Sequence, residues 1–309
     1  MEKKAIRLAF LGCGYNLQHM NVIKDFSGVK IVGVYSRDIK NAKAVTEKFG
    51  GNAYDDYKKM LEVEKIDAAY VCFPPHAHGL VETECIKRKI HLFIEKPVAL
   101  DMLIAEDIMK KAEEKNVFLF AAYKFRYSLL VQKLRTILKK EQTSFFDGYF
   151  NMPEVVKKEW WQRKDMSGGQ IVEQATHIVD LIRLFFGEIQ DKNIVTAKIR
   201  YKELDIPDSS AMLLKTDSGV IGCMHTSFAT PVLEAGFKII TGTKEISLLV
   251  CPGIKLIIKE KGKEFILQED ENLCLINESK VFLDAVKMKN NVRIKDSYKE
   301  AILTLKATL

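Results

Sequence analysis

Ile90-His91-Leu92-Phe93-Ile94-Glu95-Lys96-Pro97 decides how the rest of the chain is read. Its first five residues form an apolar run of strand length. Pro97 has no N–H to give to a ladder, so strand character stops before it. Lys96 precedes a proline, which holds its backbone extended. The stretch therefore presents a lysine at the carboxyl end of a buried strand, the edge at which open α/β sheets bind ligands. A lysine at a strand end is by itself an ordinary surface residue. It gains meaning from a glycine turn at Gly12, a Pro-Pro-His turn at Pro74 and an acid-histidine helix at Glu173.

Upstream, an apolar strand over residues 6–11 ends in Gly12-Cys13-Gly14, and a helical pattern comes next over 16–26. A glycine turn from strand to helix lets the backbone approach a pyrophosphate, which then rests on helix N–H groups. The third glycine of the fingerprint falls on Leu17, so the motif is degraded. A second strand over 30–35 leads to Tyr35-Ser36-Arg37-Asp38 and Lys40, where dinucleotide folds read the ribose. A hydroxyl and two cations suit the 2′-phosphate of NADP, with NAD as the alternative. Asp38 either caps the next helix, over 39–49, or reads a ribose. Further helices over 54–63, 76–88 and 102–115 alternate with strands over 68–73 and 117–122, Asp101 capping the last helix. That alternation predicts a doubly wound parallel sheet over residues 1–122. Pro74-Pro75-His76-Ala77-His78 closes one strand on the same rim as Gly12 and Lys96, and as a rigid turn it needs no further role.

From Tyr123 the rhythm changes. Tyr123-Lys124-Phe125-Arg126-Tyr127 is an aromatic-basic junction, leading into a helix over 129–139 and a strand over 145–151. The loop 152–167 holds Trp160-Trp161, the chain's two tryptophans, which plug a core or wall a pocket. Ser167-Gly168-Gly169 opens a helix over 170–186 with Glu173, His177 and Asp180 on one face. A carboxylate one turn from an imidazole raises its basicity and fixes its tautomer. Strands over 194–200, 210–216, 220–228, 237–241, 245–250, 254–258 and 263–267 succeed one another at hairpin spacing, predicting an α+β domain over 123–309 with an open, mostly antiparallel sheet. Helices over 278–288 and 297–309 close the chain, and the last is expected to pack back on the first domain. Ile246, Leu248 and Val250 alternate with Leu249 and Cys251, so both faces of that strand are apolar. The uncovered face is expected to pack on a second copy, as a dimer or tetramer.

Among 309 residues, 47% are hydrophobic, enough for two domains with sizeable cores. The net charge of +7 comes mainly from dispersed lysines, with no arginine block interleaved with aromatics, which argues against a nucleic-acid partner. No apolar run is long enough for a bilayer, and Met1-Glu2-Lys3-Lys4 leads straight into the first strand, so neither a membrane span nor a leader is expected. Six scattered cysteines without a C-x-x-C pair point to a reduced, cytoplasmic protein without structural zinc. A metal enzyme using His177 and Glu173 lacks a further ligand pair of suitable spacing, so no metal is expected.

Taken together, Gly12-Cys13-Gly14, Ser36-Arg37, the Pro74 to His78 turn, Glu95-Lys96-Pro97, Tyr123 to Tyr127 and Ser167 through Asp180 resemble the Gfo/Idh/MocA family of nicotinamide-dependent sugar and polyol oxidoreductases. Glu173 stands where many members carry Asp, Ala175 where many carry Gly, and His19 is off the family's usual histidine spacing. The resemblance implies an N-terminal Rossmann domain and a cofactor held by Gly12, Gly14, Tyr15 and Asn16. It adds Ser36 and Arg37, then Pro74, Pro75 and His78, and finally Glu95 and Lys96. It implies that Lys96 also contacts the reacting oxygen, that His177 is the general acid/base with Glu173 beside it, and that Arg126 and Trp161 join Lys96 and His177 at the substrate. Two function classes result: a dehydrogenase or reductase acting on a sugar, cyclic polyol or small carbonyl compound, and a dinucleotide sensor without turnover. A sensor needs neither Lys96 nor His177, and the chain carries both.

Overall fold

The computed structural model describes residues 5–294 and 297–309. The lead-in Met1-Glu2-Lys3-Lys4 lies outside them. The chain divides into two compact units, the first from the described residues of Met1–Ala122 and Leu275–Leu303, the second from Tyr123–Cys274 and Thr304–Leu309.

In the first unit, strands β1 (Ile6–Leu11), β2 (Val29–Tyr35), β3 (Asn52–Tyr54), β4 (Ala68–Val71), β5 (His91–Ile94) and β6 (Leu119–Ala121) form a parallel sheet in the order 3-2-1-4-5-6. This is the strand order of dinucleotide-binding folds. Helices α1 (Asn16–Ile23), α2 (Ile39–Phe49), α3 (Tyr57–Val63), α4 (Leu80–Lys87) and α5 (Met102–Lys115) provide the crossovers. Every residue of β4 is buried, and β1 is buried at every position but Arg7, which is why β4 reads as an unbroken apolar run and β1 as one interrupted at Arg7 alone. Phe10, Tyr70, Phe93 and Phe120 stand side by side across four strands. Their rings stack at 5.0, 4.3 and 4.9 Å. Phe282 meets Tyr70 and Phe93 edge-on and Phe120 at a tilt. Offset and edge-on aromatic pairs each add about 0.5–1.5 kcal/mol beyond the area they bury. Two sequence expectations change here. Of the helix expected over 54–63, Tyr54 is the last residue of β3, and the helix starts only after Asp56, which caps it by accepting from Lys58 and Lys59 N–H. Residues 76–88 divide into a 3-10 turn, Pro75–Ala77, and α4, because Gly79 at φ +127° breaks the helical path.

The second unit holds an eight-stranded sheet: β7 (Thr143–Asn151), β8 (Ile189–Ala197), β9 (Ser209–Thr216), β10 (Ile221–Ser227), β11 (Glu234–Thr241), β12 (Glu245–Cys251), β13 (Ile254–Glu260) and β14 (Lys263–Glu269), in the order 14-13-12-11-7-10-9-8. Only β7 and β10 pair in parallel. Helix α6 (Leu129–Leu138) precedes the short α7 (Glu159–Gln162), α8 (Lys164–Ser167) and α9 (Gln170–Glu173), then α10 (Thr176–Phe186). Buried residues of α6 and α10 share one core with the inward rows of the sheet, such as Ile246, Leu248 and Val250. The opposite face keeps Phe145, Leu213, Ile221 and Ile240 exposed. Ile221 and Ile240 flank Phe145 in register, making an apolar row across three strands. The closing helices are α11 (Asn272–Met288) and α12 (Ser297–Thr308). No helix among the described residues is long and apolar enough to cross a membrane.

The sequence places a strand over 194–200, but β8 ends at Ala197. Asp208 explains the early exit. Its carboxylate, on a residue 1% exposed, accepts the N–H groups of Ile199, Arg200 and Tyr201 at 2.6–3.0 Å, turning the chain out of the sheet. Burial pushes its carboxyl up, but those N–H groups and Ser209 outweigh it and hold it below the ordinary aspartate range. A depressed folded-state pKa contributes stability that is complete above the unfolded value of about 3.9 and lost as pH falls through the folded one. Asp208→Asn turns a donor toward three donors and is expected to cost about 2–4 kcal/mol at pH 7. Urea unfolding should show a shallower loss of stability below about pH 4 in the variant than in the wild type. Parallel pH profiles would remove Asp208 as the source.

Candidate active site

The carboxyl ends of β1, β2, β4 and β5 carry the first set of candidate residues. Gly12 leaves β1 at φ +102°, and a Cβ there would stand 2.5 Å from the Cys72 carbonyl oxygen, so only glycine fits. A Cβ on Gly14 would meet nothing within 4 Å. Asn16, fully buried, holds the turn from beneath through its Nδ2 on the carbonyls of Leu11 and Gly12. Tyr15 and Leu17 are exposed, so the larger residue at the third fingerprint position points away from the strands. The open backbone at Gly12 and Gly14, with the start of α1 behind it, fits a pyrophosphate.

At the end of β2, Ser36 is half-buried and Arg37 exposed. Asp38 accepts from Lys40 N–H at 2.9 Å through Oδ1 and caps α2. Beyond β4, Pro74 is half-buried and Pro75 buried. His78, expected at the cofactor, is turned inward: its Nδ1 lies 2.6 Å from Glu82 Oε1, and Glu82 Oε2 accepts Gly79 N–H at 2.7 Å. His78 is thus a lock on the start of α4. At the end of β5, Lys96 is half-buried and its bond to Pro97 is cis. Glu95, also expected at the cofactor, is buried, with Oε1 2.7 Å from His19 Nε2 and Oε2 accepting Lys96 N–H at 3.2 Å. Its place is beneath Lys96.

In the second unit, α10 lies close on β7, because a Cβ on Gly148 would stand 2.8 Å from Ile178 Cγ2. His177 is buried in the first turn of α10 and meets the rings of Tyr123 and Phe125 edge-on, at 5.9 and 5.0 Å. Tyr123 shares a 2.9 Å hydrogen bond with Thr176, and burial, reinforced by Asp180, pushes its phenol well up. The helix expected over 170–186 is divided. Ala175 N–H bonds to Gln170 O, five residues back, and α10 restarts at Thr176. Glu173 closes α9, so it does not stand one continuous helical turn before His177. One extra residue in a turn rotates every later side chain by about 100°. Glu173 and His177 therefore stand on two consecutive helices rather than on one continuous face.

Arg126, expected at the substrate, grips Asp180 with two hydrogen bonds, Nε to Oδ2 at 2.7 Å and NH2 to Oδ1 at 2.8 Å. Asp180 Oδ1 also accepts from Thr304 at 2.9 Å. Asp180 is accordingly a buried counter-ion. Trp161 is buried with Val155, Ile206 and Phe228 in a small separate core, with Trp160 half-buried beside it. The plug, rather than the pocket wall, describes Trp161. The partnership of His19 with Glu95 and Glu278 was not foreseen from the sequence; the one available signal was the spacing of Asn16 and His19 on one helical face.

Residues 6–123 match the family model described as oxidoreductase family, NAD-binding Rossmann fold, and residues 142–246 match the GFO/IDH/MocA C-terminal domain. A 4-carboxy-2-hydroxymuconate-6-semialdehyde dehydrogenase from Sphingobium sp. is 26% identical over 233 residues, 72% of each chain. A trans-1,2-dihydrobenzene-1,2-diol dehydrogenase from Sus scrofa is 24% identical over 76% of this chain and 71% of its own. A 3-ketoreductase from Actinomadura kijaniata, solved with NADP and TDP-benzene, is similar with a TM-score of 0.86 at 18% identity, over 99% of this chain and 96% of that one, a likeness of fold. With both halves matched by its models, the chain belongs to the Gfo/Idh/MocA family of oxidoreductases.

Proposed function

We propose that this chain transfers a hydride between NADP and a carbinol or carbonyl carbon of a small ring compound: a sugar, a cyclic polyol or a dihydrodiol. The observation that carries the reading is Lys96, half-buried at the end of β5 on the rim that also bears the glycine turn. The relative named for a ring diol supports the ring class, and the relative named for a semialdehyde supports a small carbonyl compound as substrate. The nicotinamide, when bound, supplies the hydride acceptor or donor.

In the oxidising direction a substrate O–H proton must leave as the hydride leaves carbon. The Lys96 ammonium stabilises the developing alkoxide, and a neutral His177 takes the proton; reduction reverses both transfers. The aromatic edges of Tyr123 and Phe125 limit water around His177. Lys96→Ala is expected to lower kcat by about 10² or more while the cofactor Kd changes little. His177→Ala should lower kcat by about 10²–10⁴ and flatten its pH profile near neutrality. Glu173→Gln, one short helix earlier, should cost less than about tenfold. A panel of sugars, inositols, dihydrodiols and small ketones with NADPH and NADH identifies the substrate for these assays. Near-normal turnover by Lys96→Ala would sink the scheme, and tight dinucleotide binding without turnover across the panel would return the sensor reading.

The preference for NADP over NAD rests on Ser36 and Arg37, with Asp38 engaged by its helix cap. A charge-assisted contact to the 2′-phosphate contributes about 1.5–3 kcal/mol, so NADP should bind about tenfold tighter or more. Titration of both cofactors against wild type and Arg37→Ala checks this: the variant should lose NADP affinity selectively. An equal loss for both would count against the assignment.

The exposed apolar row Ile221, Phe145 and Ile240, with Leu213 nearby, supports pairing of this sheet face with a second copy. Sedimentation at micromolar concentration should give a dimer or tetramer, and Phe145→Glu should shift it toward monomer. A wild-type monomer would defeat the proposal.

A further inference from the structure

Helix α1 carries two fully buried polar side chains, Asn16 and His19, three residues apart and so on one face. Asn16 holds the glycine turn through the carbonyls of Leu11 and Gly12, and its Oδ1 accepts from the Cys72 thiol at 2.6 Å. His19 reaches the other way. Its Nε2 lies 2.7 Å from Glu95 Oε1, and Glu95 Oε2 accepts the backbone N–H of Lys96. Across the ring, Nδ1 faces Glu278 Oε1 at 4.0 Å. Aromatic rings of Tyr15, Tyr70 and Phe93 enclose the imidazole at 5.9, 5.4 and 4.9 Å. A buried carboxylate costs several kcal/mol unless it is paired, so Glu95 depends on this imidazole for its place.

We propose that His19 is a positioning residue. Set between Glu278 and Glu95, it fixes the Glu95 carboxylate and through it the backbone of Lys96, so that one face of α1 joins the glycine turn to the lysine. The catalytic consequence rests on the role of Lys96 proposed above.

The chemistry of the cluster argues against a metal centre at the same place. His19 Nε2, Cys72 Sγ and a Glu95 oxygen do lie within 4.8 Å of one another. Two nitrogen or oxygen ligands on one tetrahedral ion, however, stand about 3.3 Å apart for bonds near 2.0 Å. The 2.7 Å between His19 and Glu95 is a hydrogen-bond distance. Burial, with Glu95 and Glu278 adding to it, pushes the Cys72 thiol well up, which suits a donor to Asn16 and not a metal-binding thiolate.

The test is a double-mutant cycle on the full chain with wild type, His19→Gln, Lys96→Ala and the double variant. A core histidine with a purely structural role lowers kcat equally in both backgrounds; one that acts through Lys96 does not. His19→Gln is expected to lower kcat about tenfold, with the cofactor Kd within about threefold, and to cost less than about twofold once Lys96 is alanine. Equal losses in the two backgrounds would overturn the proposal. If His19→Gln does not fold, Glu278→Gln replaces it in the same cycle; it keeps the side-chain volume and removes one flanking charge, and is expected to show a smaller, equally non-additive loss. A second readout needs neither substrate nor cofactor and so stands if the proposed function fails. Competitive acetylation read by mass spectrometry should show the Lys96 rate changed about threefold or more in the variant, with the remote Lys140 unchanged. An unchanged Lys96 rate, or stoichiometric zinc in the purified protein that His19→Gln loses, would overturn the positioning role.

Discussion

The central strands of the first unit have no solvent face. β4 is buried throughout, and β1 and β5 nearly so. Side chains along them must be apolar or paired, and chemistry is confined to their carboxyl ends. That constraint gathers the Gly12 turn, the Pro74 turn and Lys96 on one rim. It also shapes the layer beneath the rim. Tyr70 and Phe93, the middle pair of the stacked row, lie against His19 at 5.4 and 4.9 Å. In such a medium the His19–Glu95 bridge gains strength, and either partner alone becomes a liability.

The features legible in the sequence obey local rules. The runs before Gly12, Pro74 and Pro97 are strands because a two-sided burial leaves no alternation to read. Asp101 caps its helix through Leu103 N–H as its spacing implies, and Asp38 caps through Lys40 N–H, one of its two readings. Two misplaced boundaries are local, the Asp56 cap and the Gly79 break, and the others depend on contacts that spacing does not show. Residues 170–186 keep helical periodicity throughout, so nothing local marks the division at Gln174 and Ala175. Asp208 ends β8 from eight or nine residues downstream, through its own carboxylate. His19 stood out only as lying off the family's usual histidine spacing, because the sequence does not say which face of α1 lies on the sheet. Trp161 had two readings of equal standing until its neighbours Val155, Ile206 and Phe228, drawn from three loops, were placed.

Asp180 shows how far a polar stripe on a helix misleads. Read along α10, it extends the face of His177 toward a cleft. In the fold it is 1% exposed, and its oxygens are taken by Arg126, which lies 54 residues earlier, and by Thr304 near the carboxyl terminus. Arg183, one turn on, donates to the same Thr304 and pairs with Glu188. These charges compensate one another, so they add rigidity around the middle of α10 without adding net charge near His177. The pair also changes how Arg126 must be interrogated. Removing its guanidinium leaves a buried carboxylate uncompensated, at a cost of about 3–5 kcal/mol. Loss of activity in an Arg126 variant therefore speaks first of folding. A substrate contact by Arg126 is separable only in a variant that removes Asp180 as well, where the buried charge has gone with its partner and any remaining change in KM belongs to the guanidinium itself.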